Sequence, residues 1–402
     1  MVKPRKAINF TEADERCKLL SNGIENKKKI LYEILQNYES QEVIQDELER
    51  SLKCLRGLDT EKEYFQGNKL KLISTFFPLN LPLYSTVLFA IVPSFFADNL
   101  YLRPPILMRG VIEKLFEALD IKLLFPNIKK LDLERNEFVS KYVLNSGAVI
   151  FTGTYENASN LLGKLPKNIL FLYNGAGSNP LVITNSADID LAVSKTIRGK
   201  IFNSGQDCAG PDSILVQSGI CAEFIEKLLK NLGQVGVGSY EENNRVGHLI
   251  DPKHLVFISK VLNKHRKNII YGGTIDFVRG IVFPTVITSK IRELRNYTEL
   301  FAPIFYVTYY EQDQDLSIYF DNSNYLDHAM YISLFGNSNY LPTVKKSVIL
   351  KNKIILDTED GNKEFGGYGS QSSFIATGNK IRPQPILISR EINNYILHET
   401  RQ

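Results

Sequence analysis

Phe202-Asn203-Ser204-Gly205-Gln206-Asp207-Cys208-Ala209-Gly210-Pro211 is the stretch on which the reading of this chain turns. It follows a run of helical pattern from Asp188 to Asn203 and precedes a strand-like run from Ser213 to Gln217. A thiol at such a junction, flanked by Gly and Pro, is accessible to a reactant and held stiffly enough to be aimed. On this ground alone two readings of Cys208 stand: a reactive nucleophile, or a buried structural Cys, the commoner fate of the residue type.

Bulk properties narrow the field. A chain of 402 residues with 44% apolar content buries a large core, in two domains or one domain with a large insertion. The net charge of +4 is small beside 48 basic and 44 acidic side chains, which excludes a strongly basic nucleic-acid binder. Cys17, Cys54, Cys208 and Cys221 show neither metal-site nor disulfide-framework spacing, so reduced thiols in the cytoplasm are expected. The segment Met1 to Asn22 is charged, without the apolar centre of a signal peptide. Phe76 to Ala97 lacks charge and is long enough to span a bilayer. Pro78, Pro82 and Pro93 interrupt it, so a buried strand, turn and helix is expected there and no membrane contact.

Along the chain, residues 1 to about 56 place Leu and Ile at helical spacing among charges, as in Ile30-Leu31-Tyr32-Glu33-Ile34-Leu35. That spacing predicts two or three amphipathic helices packed on the body of the protein. Leu70 to Phe76, Ala148 to Phe151 and Asn168 to Tyr173 read as buried strands, and Cys221 to Leu232 as an amphipathic helix. The apolar run Pro385 to Ile388 reads as a strand in the tail. The five His residues lack metal-ligand spacing, and no metal is expected; His328 reads as a surface residue or one approaching the site.

The motif F-N-S-G-Q-x-C-x-x-P resembles the nucleophile segment of the aldehyde dehydrogenase superfamily, and further segments between Phe76 and Gly369 resemble that family in the same order. Pro78-Leu79-Asn80-Leu81-Pro82 is similar to P-W-N-F-P, whose Asn donates to the developing oxyanion beside the main-chain N–H of the Cys. Asp98 to Ile106 resembles a strand end at which a Lys and an acid hold the adenosine ribose. Here Arg103 replaces the Lys and Ile106 the acid, which implies that NADP is tolerated or preferred. Thr152-Gly153-Thr154 resembles F-T-G-S, the turn opening a helix whose amides face the cofactor pyrophosphate. Glu299-Leu300-Phe301-Ala302-Pro303 resembles E-I-F-G-P, in which the Glu takes the nicotinamide ribose and the Phe packs near the ring. Phe365-Gly366-Gly367 resembles a late F-G-G motif.

One departure is chemical. Asn174-Gly175-Ala176-Gly177 resembles E-L-G-G, with Asn174 in place of the Glu that acts as general base in hydrolytic members. A carboxylate takes a proton from attacking water and an amide does not. The resemblance therefore implies an NAD(P)-dependent aldehyde oxidoreductase working through Cys208, with NADP or NAD as cofactor. It leaves open an acyl-transferring or acyl-thioester-reducing enzyme with a thiol or amine acceptor, and a non-catalytic nucleotide-binding relative. The expected architecture is α/β, with helices and a Rossmann-like cofactor domain over 1–174, a catalytic α/β domain over 175–375 and a tail over 376–402. The partner is a small aldehyde or activated acyl compound. Little chain precedes Pro78 to form the family's assembly hairpin, so a monomer or homodimer is expected.

Overall fold

The computed structural model describes residues 6–293 and 299–399; Met1 to Arg5, Leu294 to Thr298 and the last three residues of the tail lie outside it. The charge-and-Leu pattern at the start forms α1 (Phe10–Asn26), α2 (Lys28–Leu35) and α3 (Gln41–Arg56). The Asn9 and Ser40 side chains accept the backbone N–H of Glu12 and Val43, satisfying donors that the first turns of α1 and α3 leave free. The stripe Val43, Ile44, Leu48 and Leu55 of α3 is buried, and Glu47 and Arg50 are buried with it.

Most of the apolar runs become parallel strands, and the central ones are covered on both faces and therefore continuously hydrophobic. In chain order the first are β1 (Ile73–Phe76), β2 (Leu100–Arg103), β3 (Ile128–Lys130), β4 (Ala148–Thr152) and β5 (Leu170–Asn174). Next come β6 (Leu181–Ile183), β7 (Ile214–Gln217), β8 (Ile269–Tyr271), β9 (Ile275–Asp276), β10 (Ile281–Val282) and β11 (Thr285–Lys290). The last are β12 (Ile304–Tyr310), β13 (Tyr331–Phe335), β14 (Val348–Lys351), β15 (Ser373–Thr377) and β16 (Lys380–Pro383).

They build two seven-stranded sheets and a separate antiparallel pair, β9 with β10. One runs β16-β15-β5-β4-β1-β2-β3 and the other β14-β13-β6-β7-β12-β11-β8. The first is parallel from β5 to β3, and β15 crosses back from the end of the chain to pair antiparallel with β5. The second is parallel apart from its edge strand β8. The fold is α/β.

The uncharged stretch 76–97 is the end of β1, a turn, α4 (Pro82–Thr86) and two further helical turns, nearly all buried in the protein. Among the described residues no helix is long and apolar enough to cross a membrane. The tail corrects one expectation. Pro385 to Ile388 is not a strand: after one bridge from Ile386 to Phe365 the chain enters a helix, Ile388–Glu399. Ile388, Ile392 and Ile396 recur every four residues, and that stripe is buried; a helical period in short apolar runs outweighs strand propensity.

Candidate active site

Parallel strands deliver their C-terminal ends to one side of a sheet, where ligands collect in α/β proteins. β1 runs into Asn80, β4 into Gly153 and Thr154, and β5 ends at Asn174. All of these line a cavity of about 570 Å³, together with Gln206, Asp207, Cys208, Glu299 and Phe301 from the other side. Seven of the eight residues singled out in the sequence meet there. The eighth does not. Arg103 is half-buried, its Nε donates to the Leu133 carbonyl at 3.0 Å, and it is not among the lining residues, whereas Pro105 is. His328 also lies elsewhere, its Nδ1 2.8 Å from the Asn324 carbonyl oxygen.

The Cys208 segment is a turn under tension. The helix Ile189–Ile201 ends at Phe202, and Asn203 (φ 48°), Ser204 (φ 55°) and Gly205 (φ 79°) follow in left-handed conformation. Two non-Gly residues in that region cost on the order of 1–3 kcal/mol each, so neighbours must hold them. The Ser204 hydroxyl accepts the Gly247 N–H at 2.8 Å and lies 2.6 Å from the Tyr240 hydroxyl. Gln206 accepts the Ile250 N–H at 2.8 Å through Oε1 and donates through Nε2 to the Asn203 carbonyl at 3.2 Å. A Cβ at Gly205 would stand 2.4 Å from the Ala302 carbonyl carbon, so the segment packs directly on the backbone after Phe301. Asn179 closes the turn by donating to the Cys208 carbonyl at 3.0 Å.

Asn80 precedes Leu81, itself left-handed at φ 50°, and Pro82 at the first position of α4. Its Nδ2 donates to the Gln206 carbonyl at 3.0 Å, which fixes the amide two residues from the thiol and leaves a second N–H for a ligand. Glu47 anchors this turn from α3, accepting the N–H groups of Leu83 and Tyr84 at 3.4 and 3.3 Å.

Burial pushes the Cys208 thiol well above its ordinary range, and the carboxyls of Asp207, Glu299 and Glu359 push it further. Glu299 is itself pushed well up by burial, and its Oε1 has no partner. Nδ2 of Asn174 is likewise buried without a partner. Such atoms in a cavity are open positions for a ligand. Thr154 caps the helix Tyr155–Leu162, its hydroxyl accepting the Asn157 N–H at 3.4 Å, and Gly153 adopts φ 143°, which L side chains rarely take. An unpartnered carboxylate oxygen and a Gly-led helix start suit the two ends of a dinucleotide.

Sequence reasoning missed five lining residues or supports: Glu47, Arg50, Tyr84, His254 and Glu359. Arg50 and Glu47 carried a signal, since charged residues occupied core positions of the α3 stripe. His254 gave none; its Nε2 meets the Leu300 carbonyl oxygen at 2.6 Å beside Glu299.

The aldehyde dehydrogenase family model matches residues 73–372. A lactaldehyde dehydrogenase of Methanococcus aeolicus is 26% identical over 274 residues, 64% of this chain and 57% of that protein. A dimeric NADP-preferring aldehyde dehydrogenase of Mus musculus is 26% identical over 216 residues, 51% of this chain and 45% of its own. The chain thus spans about half the length of the curated relatives it matches. Among solved structures, glyceraldehyde-3-phosphate dehydrogenase of Methanocaldococcus jannaschii, complexed with NADP, superposes with a TM-score of 0.81 at 18% identity, covering 97% of this chain and 89% of that one. Lactaldehyde dehydrogenase of Escherichia coli gives 0.77 at 17% identity, covering 93% and 87%.

Proposed function

The chain belongs to the aldehyde dehydrogenase family, and from that premise we propose that it is an NAD(P)-dependent oxidoreductase that oxidises an aldehyde through a Cys208 thioester. The observation that supports this best is the convergence of Cys208, Asn80, Glu299 and Phe301, from separate segments, on one cavity. In this reading the Cys208 thiolate adds to the aldehyde carbon. The second Asn80 N–H and the Cys208 amide receive the oxyanion, a neutral pair of donors that stabilises developing charge without losing a proton. Glu299 and Phe301 hold the nicotinamide end of NADP or NAD, and Gly153 and Thr154 the pyrophosphate. Bound there, the cofactor supplies the hydride acceptor. Ile106 offers no carboxylate to repel a 2′-phosphate, which favours NADP; comparing the dissociation constants of the two cofactors decides it.

The same reading takes 1–174 as the cofactor unit, 175–375 as the catalytic unit and 376–402 as the tail, with β15 crossing back to the first sheet at the junction of the last two. It takes the enzyme as cytoplasmic, its four cysteines unpaired. Assembly as a monomer or homodimer fits the purely helical layer ahead of β1 in the described residues; a stable tetramer in light scattering refutes it. A second reading, transfer of the acyl group to a thiol or amine, is favoured by Asn174 alone.

The test is intact-protein mass spectrometry after incubation with NAD or NADP and a panel of aldehydes, beside Cys208→Ala. An acyl adduct that requires Cys208, with reduced cofactor formed alongside, is expected. Clearance of the adduct only on adding a thiol or amine establishes the transfer reading. Neither adduct nor reduced cofactor across the panel leaves the non-catalytic relative.

A further inference from the structure

The site lacks a base at position 174, yet carboxyls surround its thiol. We propose that Glu359 is the base that activates water against the Cys208 acyl-thioester, held for that task by Arg50 from the N-terminal helical layer. This rests on the aldehyde-oxidising reading above.

Glu359 lines the same cavity as Cys208, and its side chain is 12% exposed, into that cavity. It sits on the loop between β14 and β15, and its charge acts directly on the Cys208 thiol. Arg50 Nη1 binds Glu359 Oε2, and the nearby Tyr84 hydroxyl lowers the proton affinity of the same carboxyl. Arg50 is fixed in turn by Asp46, one turn back on α3, with Nε at 2.6 Å from Oδ2. Its guanidinium lies 5.8 Å from the Tyr84 ring centre and 5.7 Å from that of Phe202, at the head of the nucleophile turn. One cation therefore ties the Asn80 helix, the thiol segment and the Glu359 loop together.

Two other carboxyls, Asp207 and Glu299, line the cavity near the thiol. Asp207 Oδ1 accepts the Ala209 N–H within the nucleophile's own turn. Glu299 Oε1 and Asp207 Oδ2 have no partner, and in the reading above Glu299 serves the nicotinamide ribose. The groups that set the proton affinity of Glu359 are Arg50, which lowers it, and Asp207, which raises it, with Asp46, Tyr84, Tyr331 and Cys208 packed around them. Burial is the largest influence, and the net effect is a carboxyl raised above its ordinary value. A base shifted toward neutrality accepts a proton from water better than an ordinary surface carboxylate.

The step balances. Water's oxygen bonds to the thioester carbon as Glu359 takes one water proton. The carbon–sulfur bond then breaks, the acyl group leaves as the acid, and the proton on Glu359 passes to sulfur or solvent. Oxidation is complete before this step, so only water is consumed.

Glu359→Gln, followed with NADP and aldehydes from propanal to benzaldehyde, separates this role from others. Expected are one equivalent of reduced cofactor per Cys208, an acyl adduct that persists in the mass spectrum, and steady turnover down by about 10²-fold or more. Glu359→Asp retains a carboxylate and is expected to recover part of the turnover. In Arg50→Met the carboxyl loses its cation and its pKa rises, so the acidic limb of kcat moves to higher pH while the burst persists. Steady turnover of Glu359→Gln within threefold of the parent overturns the proposal. So does equal loss of burst and turnover in both Glu359 variants, which marks a structural role. A parent enzyme that yields neither burst nor adduct overturns the functional reading itself, and this one with it.

Discussion

Gly205 carries two constraints at once, a left-handed backbone and a backbone neighbour where its Cβ would stand. Gly205→Ala must move the thiol segment off Ala302 or break its turn. A loss of at least about 2 kcal/mol in denaturant unfolding is expected, together with loss of adduct formation. Asn174 tests the missing base from the other direction. Asn174→Glu puts a carboxylate on the cavity wall, and in the Glu359→Gln background it is expected to speed decay of the acyl adduct by about tenfold or more. An unchanged adduct lifetime in rapid-quench mass spectrometry shows that position 174 does not reach the thioester carbon.

At the scale of elements, the helix that leads into the nucleophile turn and α3 divide the work. The leading helix starts at Asp188, whose Oδ1 accepts the Leu191 N–H at 3.0 Å. Asp188→Ala is expected to cost about 1 kcal/mol, with adduct formation unaffected, because the cap lies at the far end from Cys208. Helix α3 stabilises and positions at once. Leu48 is 1% exposed, and Leu48→Ala is expected to cost about 2–5 kcal/mol by leaving a cavity in the core. Glu47 and Arg50 on the same face reach the backbone of α4 and the Glu359 loop, so this helical layer belongs to the active site as much as to the scaffold.

The whole molecule has a pH dependence that follows from its buried carboxyls. Burial raises Glu39 to about 8, and Asp46 and Asp212 to about 6. Each is an acid raised above its unfolded value, so the folded chain holds protons that the unfolded chain releases. Stability is therefore greatest below the window from about pH 4 to about pH 8 for these groups, and falls as pH rises through it. Glu39 faces Glu47 in full burial, and two such carboxyls are costly to ionise together. Denaturant midpoints are expected to fall between pH 6 and 8.5, and to fall less in Glu39→Gln. A midpoint that rises over that range refutes this account.

From the sequence alone came the nucleophile segment, the strands that end at the site and the family, because these depend on local period and on short motifs with narrow steric demands. The run from Asp188 reads as a helix leading to a junction at Cys208, and Ala148 to Phe151 as a buried strand, whereas the left-handed turn begins at Asn203, where the sequence pattern still reads as helix. Arg103 shows where that stops: a strand-end cation was legible, but its engagement with Leu133 lies across a loop. Glu359 and Arg50 stand 309 positions apart and meet through Asp46, Tyr84 and Phe202. Neither has a local pattern that names its partner. Only the tertiary structure brought them to Cys208, because burial and charge pairing are properties of distance in space, to which separation along the chain is blind.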